Sequence, residues 1–213
     1  RADFSLAFQA TAEIFKPKPI ILQLPIGTEA GFKGVVDLIS GKAFEYDENG
    51  KAQKIEIPAD MQESVESEKE NLIENIAEAD DELVERYLEG EALTQQELAA
   101  ALRKGTLARI FVPVVCGSAT RNIGIDLLMD LIVDALPSPM DRGAKAGIDP
   151  AGGKEVERAP DPQAPFSGFV VKTLADPYAG RLTFFKVVSG TLGSDGTFYN
   201  ANKEAKERFN QLL

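Results

Sequence analysis

Along the first stretch of the chain, Phe4, Ala7, Phe8, Thr11, Ala12 and Phe15 recur three and four residues apart. That spacing predicts a helix, which Pro17 and Pro19 end. The pattern then changes. PIILQLPIG is a continuous apolar run, too short for a second helix, and reads as one buried strand; GFKGVVDLI reads as another. KAFEY and KAQKIEI flank the turn DENG, with Asn49-Gly50 at its tip, and predict a β-hairpin. From residue 61 the helical period returns: Met61, Val65, Leu72, Ile76, Leu83 and Tyr87 fall on roughly one face, and the other faces are acidic. Asp80 and Asp81 divide this run into two helices, because aspartate suits a cap, and Gly90 ends the second. LTQQELAAALRKG predicts a short helix with a Thr94/Glu97 capping box and Gly105 as its stop. A strand over Ile110–Cys116 and a helix over Ile125–Leu136 follow, closed by Pro137 and Pro139.

Residues 138–165 are rich in Pro, Gly, Asp and Ala without periodicity and read as a linker or long loop. Beyond them the pattern is all β: FSGFVVKTL, a turn at ADPYAG, RLTFFKVVS, then TFYNA after a Gly/Asp turn. Short strands separated in this way suggest a small barrel. Three or four strands do not close one, so its edges are expected to be open. With an abrupt start at Arg1 and no initiator Met, the chain is expected to be a fragment.

Composition narrows the chemistry. Among 213 residues there is one cysteine and no histidine. An internal disulfide, a multi-cysteine zinc site and Ser-His-Asp or Cys-His catalysis are thereby excluded within this stretch. Cys116 reads as a small buried hydrophobe, and a reducing cytoplasm is the natural setting. No apolar run approaches the ~20 residues that span a bilayer. The net charge of −11 opposes nonspecific binding to nucleic acid or to anionic membranes, and neither DNA nor a membrane is an expected partner. The acid is uneven: from Glu56 to Glu97 there are 15 acidic residues against two basic ones, Lys69 and Arg86. That imbalance is either an ordinary solvated face or a surface for a basic protein, and Glu63, Glu66, Glu70, Glu74 and Glu78 are its candidate contacts.

Two glycine-containing stretches invite a phosphate or nucleotide reading. GVVDLISGKA fails it. From Gly34 to Gly41 the spacing is two residues too long, and Ala43 stands where a magnesium-binding Ser or Thr is needed, so Lys42 is better read as the start of the hairpin. Gly117-Ser118-Ala119 is different. It follows a buried strand and precedes a helix, the position outside strand carboxyl ends where open α/β sheets bind ligands, and small residues there present backbone amides. A tight strand-to-helix connection explains the same triplet equally well.

In order, LPIGTEAGFKGVVDLI, the acidic helices, VCGSATRNIG, a helix ending LPSP, and DPYAGRLTFFKVVSG resemble bacterial translation elongation factor G over nearly the whole chain. The wording GSATRNIG is closer to the elongation factor G-like paralogues. The resemblance implies an α/β fold: an α+β insert on the tail of a P-loop-type GTPase domain, followed by part of an all-β barrel. Residues 1–140 would end the GTP-binding domain, with the insert at about 20–108; 141–164 would be a linker and 165–213 the start of the second domain. Gly117, Ser118 and Ala119 would form the fifth guanine-nucleotide motif, the Ala119 amide meeting the guanine carbonyl and Ser118 steadying the specificity loop. The parent would be a cytoplasmic, ribosome-dependent GTPase that uses GTP and magnesium in translocation or recycling. Its insert would meet the large-subunit stalk protein and its barrel the small-subunit RNA. The phosphate loop, switch regions and Asn-Lys-x-Asp motif are not encoded here, so no catalytic residue is assigned and this stretch alone is expected to be inactive. A stand-alone acidic interaction module is the competing expectation.

Overall fold

The structure, a computed structural model, describes residues 2–178, 180–209 and 211–213. It divides into two compact units, the first ending at Leu136 and the second beginning at Pro137.

In the first unit, α1 (Phe4–Ile14) starts where the Asp3 carboxylate accepts the Leu6 N–H at 3.0 Å. The next apolar run does not form one strand. It splits at Leu22 into β1 (Lys18–Ile21) and β2 (Gln23–Ile26). Leu22 serves two sheets at once: its N–H donates to Val114 O at 2.9 Å, and its carbonyl accepts from Leu38 N at 3.0 Å. β2, β3 (Gly34–Asp37), β4 (Lys42–Tyr46) and β5 (Ala52–Ile55) form an antiparallel meander in that order. The turn between the last two is held by the Asp47 carboxylate, which accepts the N–H groups of Asn49 and Lys51, both at 2.9 Å.

Three helices follow. α2 (Gln62–Ala77) and α3 (Asp81–Leu88) break where the sequence predicts, with Asp80 capping the second through the Glu82 N–H. Of the predicted apolar stripe, Val65, Leu72, Ile76 and Leu83 are buried in the main core with Ile20, Val36, Leu38, Leu98, Leu102 and Phe111. α4 (Gln95–Ala108) has the capping box expected of Thr94 and Glu97, but Gly105 does not stop it. The helix runs three residues further and closes on Arg109 at φ 60. Gly105 answers a packing demand instead: a Cβ there would lie 2.2 Å from the Phe111 ring. β6 (Phe111–Val114) then pairs in parallel with β1, and α5 (Ile125–Ala135) completes the unit.

In the second unit, the segment expected to be irregular carries a hairpin, β7 (Lys145–Ile148) with β8 (Glu155–Arg158). Its strands are too exposed to leave an apolar alternation, since every β7 residue faces solvent. The turn supplies the order: Asp149 accepts from Gly153 N through its carbonyl and from Ala151 N through its carboxylate. β9 (Ser167–Asp176) pairs with β10 (Gly180–Ser189), and β11 (Gly196–Asn200) with β12 (Ala205–Phe209). Among the described residues these strands pair two by two, as open hairpins.

Candidate functional site

β6 delivers the chain through Val115 and Cys116 into the loop 117–124. Ser118 and Ile123 exchange both backbone hydrogen bonds, at 2.9 and 3.0 Å, and Asn122 N donates to Ala119 O at 3.3 Å. The loop is therefore a miniature hairpin with Ala119, Thr120, Arg121 and Asn122 at its tip. Two glycines let its ends cross. A Cβ on Gly117 would lie 2.8 Å from Ile123 O, and one on Gly124 would lie 2.9 Å from Cys116 O. Gly124 also has φ +73, which suits glycine and starts α5 without a side-chain cap.

The three predicted residues of the triplet are thus brought together, with different roles. The Ser118 amide is occupied inside the loop by Ile123 O, so it is not bare as the sequence reading anticipated. Its hydroxyl lies 3.5 Å from that of Thr120. Ala119 is exposed, and among the described residues its N–H donates to no protein acceptor. One backbone donor at the carboxyl end of a strand thereby remains available to a planar ligand. Beneath the loop, Cys116 is half-buried and burial pushes its thiol up to about 12, so it stays protonated and inert.

The meander touches this loop through residues that periodicity could not single out. The Arg121 guanidinium donates to Phe32 O at 2.5 Å and to Ala30 O at 3.4 Å. Asn122 packs against Gly50, where a Cβ would fall 2.6 Å from its own. Tyr46 donates its hydroxyl to Asp126 Oδ1 at 2.6 Å. Burial and that carboxylate raise the Tyr46 pKa well above the usual phenol range, so the donor is permanent. Tyr46, Val35 and Ile123 form a second small core, flanked by Phe32, Phe44, Cys116 and Leu127.

The second candidate surface is the outer face of α2. Glu63, Glu66, Glu70, Glu74 and Glu78 are all exposed. Glu78 lies 3.8 Å from Lys18; among the described residues the other four make no ion pair. Elsewhere acids do find partners. Arg86 binds Glu91 at 2.8 Å and Glu97 at 2.5 Å, tying α3 to the start of α4. The Arg86 guanidinium, followed by the Thr94 amide and hydroxyl, lowers the Glu97 pKa to about 2. Lys104 pairs with Asp80 at 2.7 Å and holds that carboxyl below its usual range. Among the described residues no group of three or more acids and cysteines is gathered as a metal requires, and no helix is long and apolar enough to cross a membrane.

Comparison with known proteins follows the same order of elements. A family model described as elongation factor G domain 2 matches residues 165–213. Elongation factor G of Aquifex pyrophilus is 42% identical over 215 aligned residues, which take in 100% of this chain and 31% of that protein. A Thermus thermophilus protein of known crystal structure superposes with a TM-score of 0.73 at 26% identity, over 98% of this chain and 28% of that one. The chain thus spans 31% of the length of the curated relative it matches, and along its whole length it is similar in sequence to that elongation factor G.

Proposed function

We propose that this chain is the part of a ribosome-dependent translational GTPase that supplies one base contact and two ribosome-facing surfaces. The observation that carries the reading is the exposed Ala119 amide at the tip of the loop after β6, in a chain related throughout to elongation factor G. In such a protein Gly117, Ser118 and Ala119 form the base loop. The Ala119 N–H donates to the guanine carbonyl, and Ser118 braces the neighbouring specificity segment. GTP and magnesium belong to the whole protein. This chain's residues fit only the base end of the nucleotide, since the acids needed to hold a metal are not gathered among the described residues. The chain by itself neither hydrolyses GTP nor binds it usefully, because a phosphate cradle supplies most of the charge complementarity.

The acidic face of α2 then serves as the contact for a basic protein, the stalk protein of the large ribosomal subunit, and the second unit meets small-subunit RNA. The protein works in the cytoplasm in translocation or recycling. What supports the partner reading is the disposition of the carboxylates. Glu66, Glu70 and Glu74 repeat every four residues, an arrangement that opposes the helix carrying them. The base contact is tested in the full-length protein with Ala119→Asp. A carboxylate at the carbonyl-facing position repels and crowds the base, so guanine nucleotide affinity should fall at least about tenfold while the variant stays folded. Unchanged affinity in a folded variant refutes the assignment.

A further inference from the structure

The tip of the base loop is fastened to something other than its own strand and helix. Beyond Ala119, the residues Arg121, Asn122, Ile123 and Asp126 each touch the four-stranded meander, at three separate places. Arg121 reaches the β2–β3 loop, Asn122 the β4–β5 turn, and Asp126 and Ile123 the end of β4. The β2–β3 loop is itself rigidly formed: Gly27 has φ +82, and a Cβ there would lie 2.0 Å from Gly31 O. That shape holds the carbonyls of Ala30 and Phe32 where one guanidinium reaches both. Both bonds come from the one nitrogen Nη1, whose N–H groups are held in the guanidinium plane, whereas a lysine ammonium carries its donors on a flexible stem and holds the same two acceptors less firmly. At the other end the Tyr46 hydroxyl clamps Asp126 in the first turn of α5, across 80 residues of sequence.

We propose that the meander β2–β5 positions the base loop, with Arg121 and Tyr46 as its two fasteners, so that loosening them loosens the hold on guanine. The inference rests on the reading of Ala119 as the base contact. Its physical content is precision. A hydrogen bond weakens steeply with distance and angle, and a tip closed by one backbone bridge has little stiffness of its own. Arg121 and Tyr46 are positioning residues, since their polar ends are engaged by the β2–β3 loop and by Asp126.

The test uses the full-length protein and two nucleotides, GDP and 2-aminopurine riboside diphosphate, which lacks the carbonyl that Ala119 meets. Release of each is followed by stopped flow for Arg121→Ala, Arg121→Lys and Tyr46→Phe. Arg121→Ala should speed GDP release roughly tenfold, the scale of one charge-assisted hydrogen bond. Release of the analogue should stay within about twofold of the parent, because its phosphate contacts are untouched. Arg121→Lys should fall between, and Tyr46→Phe should show the same selectivity with a smaller effect. Equal acceleration of both nucleotides marks generic destabilisation and overturns the proposal, as does unchanged GDP release. If Arg121→Ala does not fold, the lysine and phenylalanine variants carry the same comparison. Ala119→Asp, run alongside, separates the two readings. If it leaves GDP release unchanged, the base contact itself is wrong; if it speeds release while the fasteners do nothing, only the positioning role fails.

Discussion

Gly105 and Glu97 sit eight residues apart on one helix, and each shows a local preference answered by a distant partner. Glycine in a helix interior costs about 1 kcal/mol against alanine, so Gly105→Ala ought to stabilise α4. Here the added methyl meets the Phe111 ring at 2.2 Å, and Phe111 is itself buried in the main core. Gly105→Ala should therefore destabilise the first unit by about 1–3 kcal/mol, read by urea unfolding of the helical signal. Gly105→Ala with Phe111→Leu should recover part of that loss; a stabilised single variant would refute the packing account. Glu97 has a folded pKa of about 2 because of Arg86 and Thr94. A depressed carboxylate pKa contributes stability above the unfolded value and loses it as pH falls through the folded one. The helical unit should thus weaken between about pH 4.5 and 2. Glu97→Gln should lower the midpoint at pH 7 and converge with the parent near pH 2. A constant difference across that range would show that the carboxylate charge is not the cause.

At the scale of elements, α2 joins two requirements of opposite sign. Its inner stripe is buried, while Glu66, Glu70 and Glu74 repel one another outside and Glu74 and Glu78 crowd the carbonyl end of the helix, where negative charge is unfavourable. Glu70→Lys gains two i,i+4 pairs, and the helix should become more stable by about 0.4–1 kcal/mol. Under the proposed contact with a basic partner, the same change weakens the field that would speed encounter, a field screened beyond about 8 Å at physiological ionic strength. Reversing Glu66, Glu70 and Glu74 together to Lys should slow ribosome-stimulated GTP hydrolysis in the full-length protein and flatten its salt dependence. Nucleotide affinity should survive. If stimulated turnover and its salt dependence are untouched, these carboxylates are a solvated face and nothing more.

At the scale of the molecule, the two units differ in how their apolar surface is used. The first folds helices and two sheets around a buried core. In the second, β9 leaves Phe169, Val170 and Val171 largely exposed, and β10 does the same with Phe184 and Val187. Among the described residues, two-stranded ladders also leave edge groups unpaired. Amide hydrogen exchange should accordingly be faster over residues 166–213 than over 110–136. Uniform protection would mean that a partner or a second copy covers those edges.

Helical periods, the Thr94/Glu97 cap, the Asp80 break and the Asn49-Gly50 turn were legible in the sequence, because each depends on residues within one or two turns of each other. The triplet Gly117-Ser118-Ala119 was legible as a loop of interest for the same reason. Other features were decided only by the tertiary structure. Leu22 divides one apolar run between two sheets, since burial on both sides looks identical whichever sheet a strand joins. The β7–β8 hairpin escaped because β7 is exposed along its whole length and β8 carries a single apolar residue, Val156, which is too little for an apolar period. Arg121, Tyr46 and Asp126 escaped because their partners lie 80 to 91 residues away, and a local pattern holds no record of a contact that chain folding alone creates.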